Sequence, residues 1–525
     1  MSQSSDDAFG YSVTKGKHNP QWWENEDSFL PTSVPRASKI PERHDLEADP
    51  QKQDQSQQEL FNNSLRAKAK SGQLKTKAKN KKSEPVNSLQ SVLKKERWLA
   101  KNGHTLSYAG LFLFTFILYF RPYELIPTLS SLSSMALISA LLTLVVFFPT
   151  QLTLEGNLTA RPVEVTCVLV ITLCGLVTIP LAQDSSWAWE TFNDVFIKAV
   201  LMFIVMVNVL RTETRLKGMI WLSLGVGIWL GLNALEDYRA GNFAIEGYRV
   251  EGSIGGMFGN PNDMALHLVT MTPLAVALFL SADNLLKRAV YGFCIFILVA
   301  GNTVTFSRGG FLGLMVSMGI MMWKVSRNNR VLVIGLGTLF LLAFIVLAPG
   351  NYGLRILSIF IPGLDGVGSS NQRKDLLMQS LLVTLRNPWG IGMGNFNIIS
   401  SRNLVTHNAY TQVSTEMGVI AFAAYIMFMV KPLRRLREIE KETFGLPESS
   451  KYHYLAIGLQ ASLIGYMAGS FFVSVAYQWF VYYIVAYAIG LRRIYSLAQE
   501  EQNKKLANSE TNTTSVKTEK LVEAV

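Results

Sequence analysis

The chain is poor in the residues that most enzymes use for metal and redox chemistry. Only three cysteines and six histidines occur in 525 residues. No two of them stand at a metal-ligand spacing and there is no HExxH arrangement, so no metal or other cofactor is expected. Cys167 and Cys174 lie seven residues apart on one apolar stretch, too far for a bond, and Cys294 lies in another, so no disulfide is expected. Charge is scarce as well: Asp, Glu, Lys and Arg make up 17% of the chain against 49% hydrophobic residues, with a mean hydropathy of +0.22. That balance excludes an ordinary large soluble protein. An apolar stretch near Met1 is also missing, so no cleaved signal peptide is expected and the N-terminus should remain cytoplasmic. Internal repeats and paired broken helices, the marks of many transporters, are not visible either.

What is present is hydrophobicity gathered into runs. "LFLFTFILYF", "MALISALLTLVVFF", "VEVTCVLVITLCGLVTIPLA" and "VLVIGLGTLFLLAFIVLA" approach or exceed the length a helix needs to cross a hydrocarbon core of about 30 Å. The expected fold is therefore all-α, a polytopic membrane protein with about twelve transmembrane helices. The spans centre near residues 106–120, 131–149, 163–181, 195–210, 217–235, 264–282, 289–305, 310–323, 331–348, 408–430, 454–474 and 477–491.

Charge orders these spans. Residues 1–100 are rich in Gln, Ser, Asn and Lys and include "RAKAKSGQLKTKAKNKKSE", which cannot bury enough apolar surface to fold; they read as a disordered, basic cytoplasmic tail. Such a tail suits anionic headgroups of membrane lipids and offers a docking peptide for a cytoplasmic partner around Trp22 and Trp23; nucleic acid is not expected as a partner. The connections "RTETRLK", "DNLLKR", "KVSRNNR" and "KPLRRLREIEKE" and the end "LRRIYSLAQ" are all basic and fall on the tail's side, as the positive-inside rule requires. The organisation is a tail at 1–100, a membrane domain at 101–495 with a large outer loop at 349–406, and a second disordered cytoplasmic tail at 496–525. An even span number puts both termini inside.

The outer face then collects the unusual chemistry: "YFRPYELIP", "EGYRVEGSIGGMFGNPND", the turn in "TFSRGGFLG", and the large loop ending in "LVTHNAYTQVSTEMG". Arg308 stands between apolar helices with only "SRGG" to turn the chain. Gly309 and Gly310 would let another group approach closely, and Ser307 can donate a hydrogen bond. Arg249 lies in a glycine-rich loop, where pairing with Glu246 or Glu251 is the alternative to ligand binding. "GNPND", beginning near Asn260, reads as a turn with Asn262 or Asp263 capping the next helix. The glycine series at Gly390, Gly392 and Gly394 reads as a tight structural turn rather than a phosphate loop, because no strand precedes it. His407 is the one histidine at an outer boundary and a candidate general base. Glu416, two turns on, must find a partner to be tolerated there.

Two guanidiniums held by rigid spans can bind a diphosphate through paired charge-assisted hydrogen bonds, and a nearby histidine can take a proton from a hydroxyl. These residues allow glycosyl transfer from a lipid diphosphate without nucleotide or metal, with arginine stabilising the leaving oxygen. The ordered segments "FGNPNDMA", "TFSRGGFLGL", "QRKDLLMQSLLVTLRNPWGIGMGNF" and "THNAYTQVSTEMGVIAF", over roughly Arg249 to Ile426, resemble the O-antigen ligase and polymerase superfamily of bacterial envelope proteins. "YFRPYELIP" is similar to the subgroup associated with exopolysaccharide and protein O-glycosylation. The resemblance implies a twelve-span enzyme of the bacterial inner membrane with a periplasmic site. Arg249 and Arg308 would hold the diphosphate of a polyprenyl-linked glycan and His407 would serve the acceptor, with Glu416, Arg373, Arg402, Asn260 and Ser307 in support. The acceptor, whether lipid, polysaccharide or protein, stays open. So do the alternatives: a repeat-unit polymerase of the same superfamily, a lipid-linked-glycan transporter or flippase without catalysis, and a scaffold working through the basic tail.

Overall fold

The computed structural model describes residues 103–523, apart from 133, 244–247, 251, 253, 255, 327–330, 332–334, 336, 339–351, 358–368 and 402. The N-terminal tail, most of the expected span at 331–348, Glu246, Glu251 and Arg402 lie outside the described residues. Helix follows helix, and no strand occurs among the described residues. In chain order they are α1 (Thr105–Phe120), α2 (Met135–Glu155), α3 (Val163–Thr178), α4 (Ser185–Val209), α5 (Glu213–Ala240), α6 (Pro261–Leu280), α7 (Leu285–Val304), α8 (Arg308–Val325), α9 (Ser369–Arg386), α10 (Ala409–Glu416), α11 (Gly418–Glu442), α12 (Ser450–Gly469) and α13 (Trp479–Glu523).

Among the described residues, six helices are long and apolar enough to cross a membrane: α2, α4, α5, α6, α7, and α12 with the Ser470–Phe472 turn that follows it. The other expected spans are shorter or charged at their ends. Helices α1 and α3 have 16 residues each, about 24 Å of rise. Helix α8 opens on Arg308, and α11 finishes in the basic run "KPLRRLREIEKE". Helix α13 continues to Glu523 through the segment expected as a disordered tail; that segment holds neither glycine nor proline to stop it.

The apolar surface divides into a protein-facing and an outward-facing part. Helix α6 is buried over 78% of its apolar window, whereas α2 and α7 are buried over only 28% and so are peripheral. Helix α2 leaves Leu137, Ile138, Leu141, Leu142 and Val145 exposed, and α7 leaves Phe293 and Phe296 exposed. An outward apolar surface of this extent suits lipid, not water. Where no water drives burial, small residues let helices pack closely. Helix α12 places Gly465 against Ser317 of α8, so near that an added Cβ would come within 2.7 Å of the Ser317 Cβ. In the same way Gly458 abuts Ala277 and the Pro273 carbonyl of α6, and Gly301 of α7 abuts Gly231 of α5.

Polar pairs sort the helix ends into two sets. At one end Lys451 at the start of α12 reaches Glu213 at the start of α5 (2.6 Å), Lys324 at the end of α8 reaches Glu440 at the end of α11 (2.5 Å), and Arg493 of α13 reaches Glu155 at the end of α2 (3.3 Å). At the other, Asp184 before α4 and Asn395 after α9 exchange two hydrogen bonds. These are the groupings of a chain that alternates direction from helix to helix.

Candidate functional site

Three of the quoted motifs are helix N-caps. Asn260 caps α6 by accepting from the Asn262 amide at 2.8 Å, with Pro261 in the first helical position. The cap is thus Asn260, not the expected Asn262 or Asp263, because proline at the first position lacks an N–H and has its φ preset for the helix. Ser307 caps α8 by accepting from the Gly310 amide at 3.1 Å, which puts Arg308 in the first turn. Asn408 caps α10 by accepting from the Tyr410 and Thr411 amides, at 2.9 and 3.1 Å.

Freed from capping, the Asn262 side chain joins two of the motifs to the glycine-rich loop. Its Oδ1 accepts from Arg249 Nη2 at 2.9 Å and from Ser307 Oγ at 2.8 Å. Arg249 Nε also donates to the Thr305 carbonyl at 3.1 Å, so the guanidinium is pinned through two nitrogens and is buried at 5% exposure. The Tyr352 hydroxyl donates to the Ser307 carbonyl at 3.1 Å from the short helix Tyr352–Leu357. Segments far apart in sequence therefore converge on the turn before α8. Phe306, within that turn, has a φ of 52°, a left-handed conformation that a large aromatic residue rarely adopts. Its ring packs among Tyr238, Tyr248 and Tyr352, at 5.9, 5.5 and 5.0 Å between centroids. The pairs expected for Arg249 at Glu246 and Glu251 fall outside the described residues.

Gly309 and Gly310 serve the approach of protein. A Cβ on Gly310 would stand 2.7 Å from Ala265 Cβ and 2.8 Å from Asn302 Oδ1, and one on Gly309 would stand 3.0 Å from Phe472 Cβ. These glycines seat the start of α8 against α6 and the turn after α12.

That turn links the arginine motifs to His407. Gly309 packs on Phe472, the Tyr410 ring lies 6.3 Å from Phe471, and Thr406 Oγ1 shares a 2.9 Å hydrogen bond with Ser474 Oγ. His407 is half-buried, with a φ of 51°. Burial, and then the charge of Arg373 on α9, push its imidazole down to about 4, so it is neutral at physiological pH. Glu416 plays a different part: its Oε2 accepts from the Tyr477 hydroxyl at 2.5 Å and the Gly394 amide at 2.8 Å. The amides of Ile391 and Gly392 donate to the Thr415 and Glu416 carbonyls, both at 3.0 Å. The glycine turn is thus folded onto the end of α10, its amides spent inside the protein. Asn262, Tyr352 and Tyr477 are the site residues the sequence reading misses; only Asn262 carried a signal, its place in "GNPND".

Fold and site together define a multi-pass helical membrane protein with arginines gathered at one end of its bundle. Residues 293–426 match the family model described as O-Antigen ligase. The match supports the likeness of this part of the chain to the O-antigen ligase-like superfamily. It takes in Ser307, Arg308, Arg373, Arg402, His407 and Glu416. Arg249 and Asn260 precede it, and Arg249 hydrogen-bonds into it at Thr305. No curated protein matches the chain.

Proposed function

We propose that the protein is an O-antigen ligase-like glycosyltransferase that moves a glycan from a polyprenyl-diphosphate carrier to an acceptor hydroxyl on the periplasmic face of the bacterial inner membrane. In this reading about twelve spans place both termini inside, and the loop at 349–406 outside. The observation that carries it is the convergence of Arg249, Asn262 and Ser307 on the turn that presents Arg308.

Arg249 and Arg308 bind the diphosphate, helped by the helix dipoles at the N-termini of α6 and α8, which favour anions. Asn260 and Ser307 hold those termini in place through their caps. His407, neutral before the donor arrives, takes the acceptor's proton; a diphosphate beside it raises its proton affinity as the reaction needs. The acceptor oxygen bonds to the anomeric carbon from the side opposite the carrier, with inversion. The bond from that carbon to the diphosphate oxygen breaks, and the arginines stabilise the departing charge. Arginine supplies what a metal could supply, so the step requires none in principle. Arg373 and Arg402 support the phosphates from the loop, and Glu416 supports the site indirectly by tying the end of α10 to the glycine turn and Tyr477.

Replacing His407 by Ala tests the assignment. Transfer in membranes is expected to fall by about 10²-fold or more, while the lipid-linked glycan still binds and accumulates. Full transfer by the variant would remove His407 as the base. Loss of lipid-linked glycan binding in an Arg249→Gln, Arg308→Gln double variant checks the donor half separately.

A further inference from the structure

A second concentration of arginine lies at the opposite end of the bundle, and the site just described makes no use of it. Helix α5 connects the two: Arg215 is in its first turn, and its far end runs into the Arg249 loop. Its 28 residues correspond to roughly 42 Å. The start of α1, the ends of α2 and α4, the start of α5 and the middle of α13 meet there around Glu155. Arg211 Nη2 lies 2.7 Å from Glu155 Oε1 and Arg493 Nη2 lies 3.3 Å from the same oxygen. Gln151 Nε2 donates to Glu155 Oε2 at 2.7 Å and to Asn208 Oδ1 at 3.3 Å, and its carbonyl accepts from Arg211 Nη2 at 3.3 Å. Arg215 bonds the Thr105 hydroxyl and the Val209 carbonyl and lies over the Tyr108 ring.

Two guanidiniums here, Arg211 and Arg493, share one carboxylate, and a third, Arg215, stands near enough to Arg211 to repel it. Glu213, at the start of α5, is engaged by Lys217 and Lys451. Arg211 is 7% exposed, and burial together with repulsion from Arg493 and Arg215 lowers its proton affinity, to about 10, despite Glu155. Buried positive charge without full compensation is costly. Two donor groups in the cluster have no hydrogen-bond partner among the described residues. His104, at 2% exposure, hydrogen-bonds through neither ring nitrogen, and Arg493 Nη1 is buried and likewise unbonded. Gln151 is near enough to influence the imidazole, but its amide is committed to Glu155 and Asn208. A backbone φ of 59° holds His104 at the mouth of α1, its ring against Phe147 at 5.6 Å.

We propose that this cluster is a binding site for a phosphate-bearing anion, received by Arg493 and His104 against a wall formed by Arg211 and Arg215. A guanidinium fork and the N–H of an imidazole kept neutral by burial and the Arg211 charge can both donate to phosphate oxygens, and the anion supplies the negative charge that Glu155 alone does not. Two sources carry the same chemistry: the headgroup of an anionic phospholipid and free phosphate. The site is independent of the transfer reaction.

The test uses the full-length protein. Its unfolding midpoint is measured in detergent with inorganic phosphate against chloride at matched ionic strength, and in phosphatidylcholine nanodiscs with and without phosphatidylglycerol. A rise of about 2 °C or more is expected in at least one arm. A rise with phosphatidylglycerol alone assigns a lipid headgroup, and a rise with inorganic phosphate alone assigns the free ion. Arg493→Gln and His104→Phe are expected to abolish the rise while keeping the midpoint in chloride; should either fail to fold, Arg493→Lys, which keeps the charge and loses the fork, should weaken it. No rise in either arm, or an equal rise in the variants, overturns the proposal.

Discussion

A single acceptor atom, Asn262 Oδ1, receives both Arg249 and Ser307, so the geometry of the arginine site depends on one amide side chain in the first turn of α6. Asn262→Ala should leave those two donors to water, costing about 1–3 kcal/mol of stability and lowering transfer, with Asn262→Asp recovering part of both. Calorimetry beside a transfer assay reads this. His407 carries a pH signature. Its folded value of about 4 lies below the ordinary 6.5, so the unfolded chain takes up the proton first as pH falls. Its contribution to stability is therefore complete above about 6.5 and is lost as the pH drops through 4. For the free enzyme, the acid limb of kcat/KM should lie nearer 4 than 6.5. Arg373→Gln should move that limb upward, because it removes a charge that opposes protonation. A limb that stays in place in the variant would separate Arg373 from the imidazole.

At the scale of the element, the helices are held by two contrasting devices. Gly458, Gly465 and Gly469 let α12 lie against α6 and α8 almost backbone to backbone. Gly465→Leu forces a branched side chain into the Ser317 contact and should cost about 1–3 kcal/mol or abolish folding, seen as a lowered midpoint or an aggregated elution profile. The second device is ionic. Lys324 pairs with Glu440, whose Oε2 also accepts from Gln460 at 3.0 Å. The Glu440 side chain is 3% exposed. Lys324→Met takes the ammonium from that carboxylate and should cost about 3–5 kcal/mol, with much of the loss recovered when Glu440→Gln is added. Of these elements, the long apolar ones were legible in sequence, because a membrane-spanning helix must be hydrophobic over most of its length. Helix α9 was not, because its partners are other parts of the same loop and end region, and α10 reads in sequence as the start of one span at 408–430, without the break at Met417 that separates it from α11. Gly309 and Gly310 read in sequence as allowing a close approach, and packing supplied what approaches, Ala265, Asn302 and Phe472, because a glycine pair does not say what approaches.

For the whole molecule, the orientation of the bundle decides whether the arginine site faces the periplasm. A reporter fused after Gly366 should be active only as a periplasmic fusion; activity on the cytoplasmic side would overturn the functional reading. The sequence by itself determined the helical membrane class, the ordered motifs that resemble the O-antigen ligase superfamily, and the candidates Arg249, Arg308 and His407. Hydrophobic length, charge asymmetry and motif order are properties of the chain in one dimension and need no packing to be read. Tertiary structure decided who meets whom. It tied Arg249 to Thr305 and Asn262, set the turn after α12 between the arginine turn and the His407 segment, and gave Glu416 to Tyr477 and the glycine turn. It also gathered Arg211 and Arg493 around one carboxylate, with Arg215 beside Arg211. Such meetings depend on how helix ends stack, and residues hundreds of positions apart carry no local mark of the neighbour that packing will bring them.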